Sequence, residues 1–174
     1  MIKELTSNER KVLDYFVEVP EEIHIRGLSE KVGMPYPSVR KALKDLEEKE
    51  FLESDKKSKM TFYSPEGEKF RRAKKLINLE KIEGSGLAKL LDKELRPEAV
   101  VLFGSYLEGR DSEDSDIDIA VVNGRDKNPD LNKFEEELGR KIQVTQVKNL
   151  KEETREFRNT LANGLVLQGY LEVV

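Results

Sequence analysis

The chain has 174 residues, 35 Asp+Glu against 31 Lys+Arg, a formal charge of −4, no Cys and a single His. That length holds one ordinary domain or two small ones. The missing thiols exclude disulfides, thiolate zinc sites and cysteine nucleophiles, and the lone His24 argues against a His-based metal cluster or a Ser-His-Asp triad.

The charge is unevenly divided. Residues 1–82 hold 18 Lys+Arg against 16 Asp+Glu, whereas residues 83–174 hold 13 against 19. Such a split predicts two domains, 1–82 and 83–174, with different partners. No leader and no apolar run of membrane length is seen, which predicts a cytoplasmic protein without a membrane partner.

In chain order, "SNERKVLDYF" (7–16) predicts a helix with Ser7 as N-cap and Val12, Leu13, Tyr15 and Phe16 at helical spacing. After Pro20 comes a short strand at 23–25, then a brief helix ending near Gly33. "YPSVRKALKDLEEKEFL" (36–52) predicts a second longer helix. Val39, Ala42, Leu43 and Leu46 lie on one face, and Arg40, Lys41 and Lys44 on the other. "FLESDKKSKMTFYS" (51–64) reads as two short strands around a basic turn, Lys56 to Lys59. Ser64 and Pro65 then read as the cap and first position of a linking helix with a Phe70, Ala73, Ile77 stripe, closed by Gly84-Ser85-Gly86. In the alternative reading that stripe forms a homodimer seam instead.

Helix, short helix, turn, helix and basic hairpin together resemble a winged helix-turn-helix domain over about residues 5–80, chiefly through "VGMPYPSVRKALKDLEEKEFLE". The resemblance implies duplex DNA binding. Tyr36, Ser38, Arg40, Lys41 and Lys44 would lie on the recognition helix, with Lys56, Lys57 and Lys59 on the wing. It also marks a departure: Glu50 stands where the family usually has Gly, which predicts a strained backbone or a different turn. The same fold also serves as a protein-binding module.

In the second half "EAVVLFGS" (98–105) predicts a buried strand running into Gly104-Ser105, where a helix begins. "SDIDIAVV" (115–122) alternates cleanly. Asp116 and Asp118 share one face, and Ile117, Ile119 and Val121 point into the core. Two parallel carboxylates repel by roughly 4 kcal/mol at 4 Å and an effective dielectric of 20. They call for a cation, and hard oxygen ligands suit Mg²⁺. A helix at 130–140 and a strand at 142–147 follow.

Gly104-Ser105, ten residues, then Asp116-x-Asp118 resembles the signature of the DNA polymerase β-like nucleotidyltransferase superfamily, over residues 86–169. With "GSYLEGRDSEDSDIDIAVV" and "LANGLVLQG" (161–169), the chain is most similar to its minimal nucleotidyltransferase branch. The fold implied for the whole chain is α+β: a winged helix-turn-helix followed by a small mixed sheet flanked by helices. The resemblance implies that Gly104 and Ser105 bind the triphosphate of a nucleotide such as ATP. It further implies that Asp116 and Asp118 are catalytic and hold Mg²⁺ or Mn²⁺. Some members of the branch modify a HEPN-type toxin, which would be one acceptor. The family's third carboxylate is missing, since Gln143 occupies the aligned position and cannot accept a proton near neutral pH. Two function classes therefore stay open. One is transfer of NMP from an NTP to an acceptor; the other is a DNA-binding regulator whose impaired transferase domain senses nucleotide.

Overall fold

The computed structural model describes residues 2–172. Helix α1 (Ser7–Glu18) is capped by Thr6, not Ser7. The Thr6 hydroxyl accepts from the Glu9 amide, and the Glu9 carboxylate accepts from the Thr6 amide at 2.8 Å. Two capping side chains compete at this end, and Glu9 three residues after Thr6 decides between them by closing the reciprocal pair.

Strand β1 (Ile23–His24) is short because Ile25 already starts α2 (Ile25–Val32), which ends on Gly33 at φ 61°. Helix α3 (Tyr36–Glu48) carries Pro37 in its first turn and buries Val39, Ala42, Leu43 and Leu46. It stops short of residue 52. The Phe51 amide bonds back to the Leu46 carbonyl at 2.9 Å while Glu50 sits at φ 61°. A side chain in that region costs about 1–2 kcal/mol. Glycine would remove this cost but lose about 0.5–1 kcal/mol of chain entropy. Glu50→Gly should therefore stabilise the protein by about 0.5–1 kcal/mol. A denaturant midpoint that does not rise would contradict the strain.

Strands β2 (Leu52–Lys57) and β3 (Met60–Pro65) pair antiparallel, and β1 adds to the other side of β3. Leu52 pairs with Pro65 and Glu53 with Ser64. Ser64 and Pro65 are therefore strand residues, not a helix cap, and α4 runs from Gly67 to Ser85. The ladder outcompetes the local capping signal. Val12, Leu13, Phe16, Leu28, Leu43, Leu46, Phe51 and Ile77 form the first core, each contributing roughly 1.5–3 kcal/mol by burial.

The chain divides into two compact units, Met1–Ile77 and Asn78–Val174. The division falls inside α4, ahead of the predicted 82/83 boundary and of Gly84-Ser85-Gly86. The second unit comprises α5 (Leu87–Leu95), β4 (Ala99–Phe103), α6 (Gly104–Glu108) and β5 (Ile117–Val122). It continues with α7 (Asn132–Leu138), β6 (Ile142–Val147), α8 (Arg155–Ala162) and β7 (Leu165–Gly169).

The sheet order is β6-β5-β4-β7, with β5 and β6 parallel and the other pairs antiparallel. Period two sorts its side chains. Val100, Leu102, Ile117, Ile119 and Val121 pack with Leu87, Leu91, Leu95, Tyr106 and Leu138 on one face. Ala99, Val101, Ala120, Val122 and Val147 pack with Leu161 of α8 on the other. The result is a small mixed sheet flanked by helices. Among the described residues no helix is long and apolar enough to cross a membrane.

Candidate nucleotide-binding site

Asp118 is the second residue of β5 and Asp116 lies just before its first, so the strand sets one carboxylate and its mouth the other. Asp118 pairs across the antiparallel ladder with Phe103, the last residue of β4, and across the parallel ladder with Gln143 of β6. Gln143 therefore stands beside Asp118 on the same sheet face. The side chain that pairs with Asp118 is thus an amide and not a carboxylate.

Gly104 follows Phe103 at φ 77°, and a Cβ there would overlap Oδ2 of Asp118. Only glycine lets the chain turn into α6 while the carboxylate lies against it. Ser105 comes next, half-buried, and among the described residues no side chain caps α6. Phe103 makes an edge-to-face contact with Phe157 of α8, ring centroids 5.8 Å apart.

Among the described residues neither Asp116 nor Asp118 has a cationic or side-chain hydrogen-bond partner. Burial, and then the charge of Asp116, holds the Asp118 carboxyl above the usual carboxylate range. A carboxyl raised in this way binds its proton more tightly in the folded than in the unfolded state. Ionised Asp118 thus costs stability above its folded pKa, and the cost fades as pH falls below the unfolded value. Asp118→Asn should accordingly raise the melting temperature of the metal-free protein at pH 7 and not at pH 3. An equal gain at both pH values would contradict the electrostatic origin.

Two uncompensated oxygen ligands fit a hard divalent cation that takes its remaining ligands from water and phosphate. Among the described residues no group of three or more His, Cys, Asp or Glu is placed to hold a metal ion. The pair would hold it without a third carboxylate.

In the first unit the predicted DNA contacts fall on two sides of α3. Tyr36, 43% exposed, lines a groove of about 560 Å³ with Arg40, Lys59, Met60, Thr61, His24 and Arg26. Ser38 and Lys41 instead line a separate groove of about 420 Å³ with Thr6 and Asp45. Lys41 is tied to Asp45 at 2.6 Å and Lys57 to Glu22 at 2.6 Å. Among the described residues Arg26, Arg40, Lys44, Lys56 and Lys59 have no such carboxylate partner. Arg26 and His24 escape a sequence reading because they reach the groove from the β1–α2 corner. Their approach depends on β1 pairing with β3, Ile23 opposite Tyr63.

No curated protein matches the chain. Among solved structures, a possible transcriptional regulator from Methanosarcina mazei Go1 is similar over 51% of this chain and 76% of its own, with 22% identity and a TM-score of 0.37. Residues 85–169 match the family model for polymerase beta, nucleotidyltransferase. That span contains the Gly104–Ser105 turn, both aspartates and Gln143. Residues 85–169 are a nucleotidyltransferase-family domain.

Proposed function

We propose that the second unit binds a nucleoside triphosphate, with ATP the natural first test. In this reading the Gly104 backbone and the Ser105 hydroxyl hold phosphate, and Asp116 and Asp118 hold Mg²⁺ or Mn²⁺. The observation that carries it is the fit of Asp118 against Gly104: the carboxylate and the glycine turn occupy one corner that a single Cβ would spoil. When bound, a divalent ion supplies charge neutralisation of the phosphates and of the pyrophosphate leaving group. The chain's own residues would bind and orient. Ser105 offers a hydroxyl to a phosphate oxygen, and Asp116 and Asp118 fix where the polyphosphate can sit. Gln143 can hydrogen-bond an acceptor hydroxyl but cannot remove its proton. Transfer of NMP to an acceptor would then rely on water or on an acceptor that is already acidic.

Gln143 also favours a second reading. A site that binds nucleotide and lacks a base is suited to sensing. We join to it a winged helix reading of the first unit, supported by the succession α1, α2, α3 and the β2–β3 hairpin and by Arg26, Arg40 and Lys59, which have no carboxylate partner among the described residues. Duplex DNA would be the partner of that unit.

The nucleotide reading is tested by thermal denaturation with Mn²⁺ and a non-hydrolysable ATP analogue. The wild type should melt higher when both are present, by mass action on the folded state. Asp116→Ala with Asp118→Ala should abolish the shift and leave the ligand-free protein no less stable. An equal shift in both proteins would place the ligand elsewhere.

A further inference from the structure

Asp111 belongs by sequence to the acidic run that reaches Asp118, yet it is 5% exposed while Glu113, Asp114 and Asp116 are open to solvent. Its surroundings explain this. Asn78, 2% exposed, donates from Nδ2 to Asp111 Oδ1 at 3.0 Å and to the backbone carbonyl of Tyr106 at 2.9 Å. Arg140, 9% exposed, places its guanidinium 3.8 Å from Asp111 Oδ2. Arg140 also donates to the Gly139 carbonyl at 3.4 Å, and its Nε has no partner among the described residues.

These three side chains come from separate segments; those of Asp111 and Arg140, and that of Tyr106 which Asn78 holds, lead to the nucleotide site. Tyr106 follows Ser105 directly. Asp111 lies in the spacer between Ser105 and Asp116. Arg140 precedes Lys141, whose carbonyl accepts from the Ile117 amide at 2.8 Å, and Ile117 is the residue between the two aspartates. The spacer itself is drawn tight, the Arg110 amide bonding to the Ser105 carbonyl at 3.0 Å and the Ser112 amide to Ser115 Oγ at 2.9 Å.

A buried amide, a buried carboxylate and a buried guanidinium with one orphaned N–H are costly to keep when apolar side chains could fill the same volume. What they gain is a fixed relation among chain segments, the role of outer-shell groups around metal ligands.

We propose that Asn78, Asp111 and Arg140 are positioning residues that set the Gly104–Ser105 turn against the Asp116/Asp118 pair before any ligand binds. The proposal rests on the nucleotide reading of that pair, and its test separates the two. In the full chain, Asn78→Ser removes both donated bonds. Asp111→Asn is isosteric, keeps an acceptor for Asn78, and removes the charge facing Arg140. Asp114→Asn changes an exposed acid of the same spacer.

Binding of Mn²⁺ with the non-hydrolysable ATP analogue is measured well below each melting temperature. Asn78→Ser should weaken it at least about tenfold and Asp111→Asn at least about threefold. Asp114→Asn should stay within about twofold of wild type, as expected for a residue outside the cluster. A cluster that only supports the fold would lower melting temperatures and leave these affinities unchanged, which would overturn the proposal. If Asn78→Ser does not fold, Asp111→Asn decides.

Amide exchange across residues 112–118 of the ligand-free protein gives a separate readout. It should accelerate at least about tenfold in the folded cluster variants, because the segment loses its anchor. Unchanged exchange would also overturn the proposal. A wild type without nucleotide affinity would overturn the nucleotide reading, and the exchange rates would then decide the cluster by themselves.

Discussion

Gln143→Asp should raise nucleotidyl transfer, or hydrolysis of the NTP, by at least about tenfold, since general-base assistance is worth about 10²–10⁴ in rate. The register makes this substitution specific. Residue 143 is the β6 partner of Asp118, so a carboxylate there joins Asp118 on β5 and Asp116 just before it. The added charge also strengthens repulsion at the pair, so the variant should lose stability without metal and recover it when Mn²⁺ is present. Pyrophosphate release with Mg²⁺ or Mn²⁺ would report the rate. A wild type already fast, with Gln143→Asp neutral or harmful, would show that another group takes the proton and would remove the reason for the sensing reading.

Glutamate at Arg40, Lys44 and Lys59 together should weaken duplex DNA binding at least about a hundredfold at low salt, because three phosphate-neutralising charges are lost and reversed. Glutamate at Lys41 and Lys57 should cost under about tenfold. The difference comes from the ion pairs. Lys41 and Lys57 already face Asp45 and Glu22, so a DNA phosphate would have to compete with those carboxylates for them. Arg40 and Lys59 line the Tyr36 groove with Arg26 and have no carboxylate partner among the described residues. Mobility shifts across genomic fragments at increasing salt would check both arms. No retarded complex even at low salt would make the first unit a protein-binding module instead.

The motif was legible in the sequence because its parts are local. Alternation alone puts Asp116 and Asp118 opposite Ile117 and Ile119, and the register brings Gln143 to Asp118 as the predicted strand 142–147 requires. The positive φ at Glu50 was legible only through the winged-helix resemblance, in which Gly usually stands at that corner. What escaped depends on distant partners. Asp111 reads as one more acid in an acidic run, and its burial follows from Asn78, 33 positions earlier, and from Arg140 on another turn. Ser64 and Pro65 carry a sound capping signal, overridden by pairing with Glu53 and Leu52. Helices α5 and α8 go unassigned from sequence although Leu87, Leu91 and Leu95 recur at helical spacing.

The central claim is that one corner of the second unit holds metal and triphosphate together. A crystal structure of the full chain grown with MnCl₂ and a non-hydrolysable ATP analogue tests it most directly. Anomalous manganese density should contact the carboxylates of both Asp116 and Asp118, with phosphate oxygens against Gly104 and Ser105. Ordered nucleotide or manganese elsewhere, with this corner empty at saturating ligand, would contradict the account.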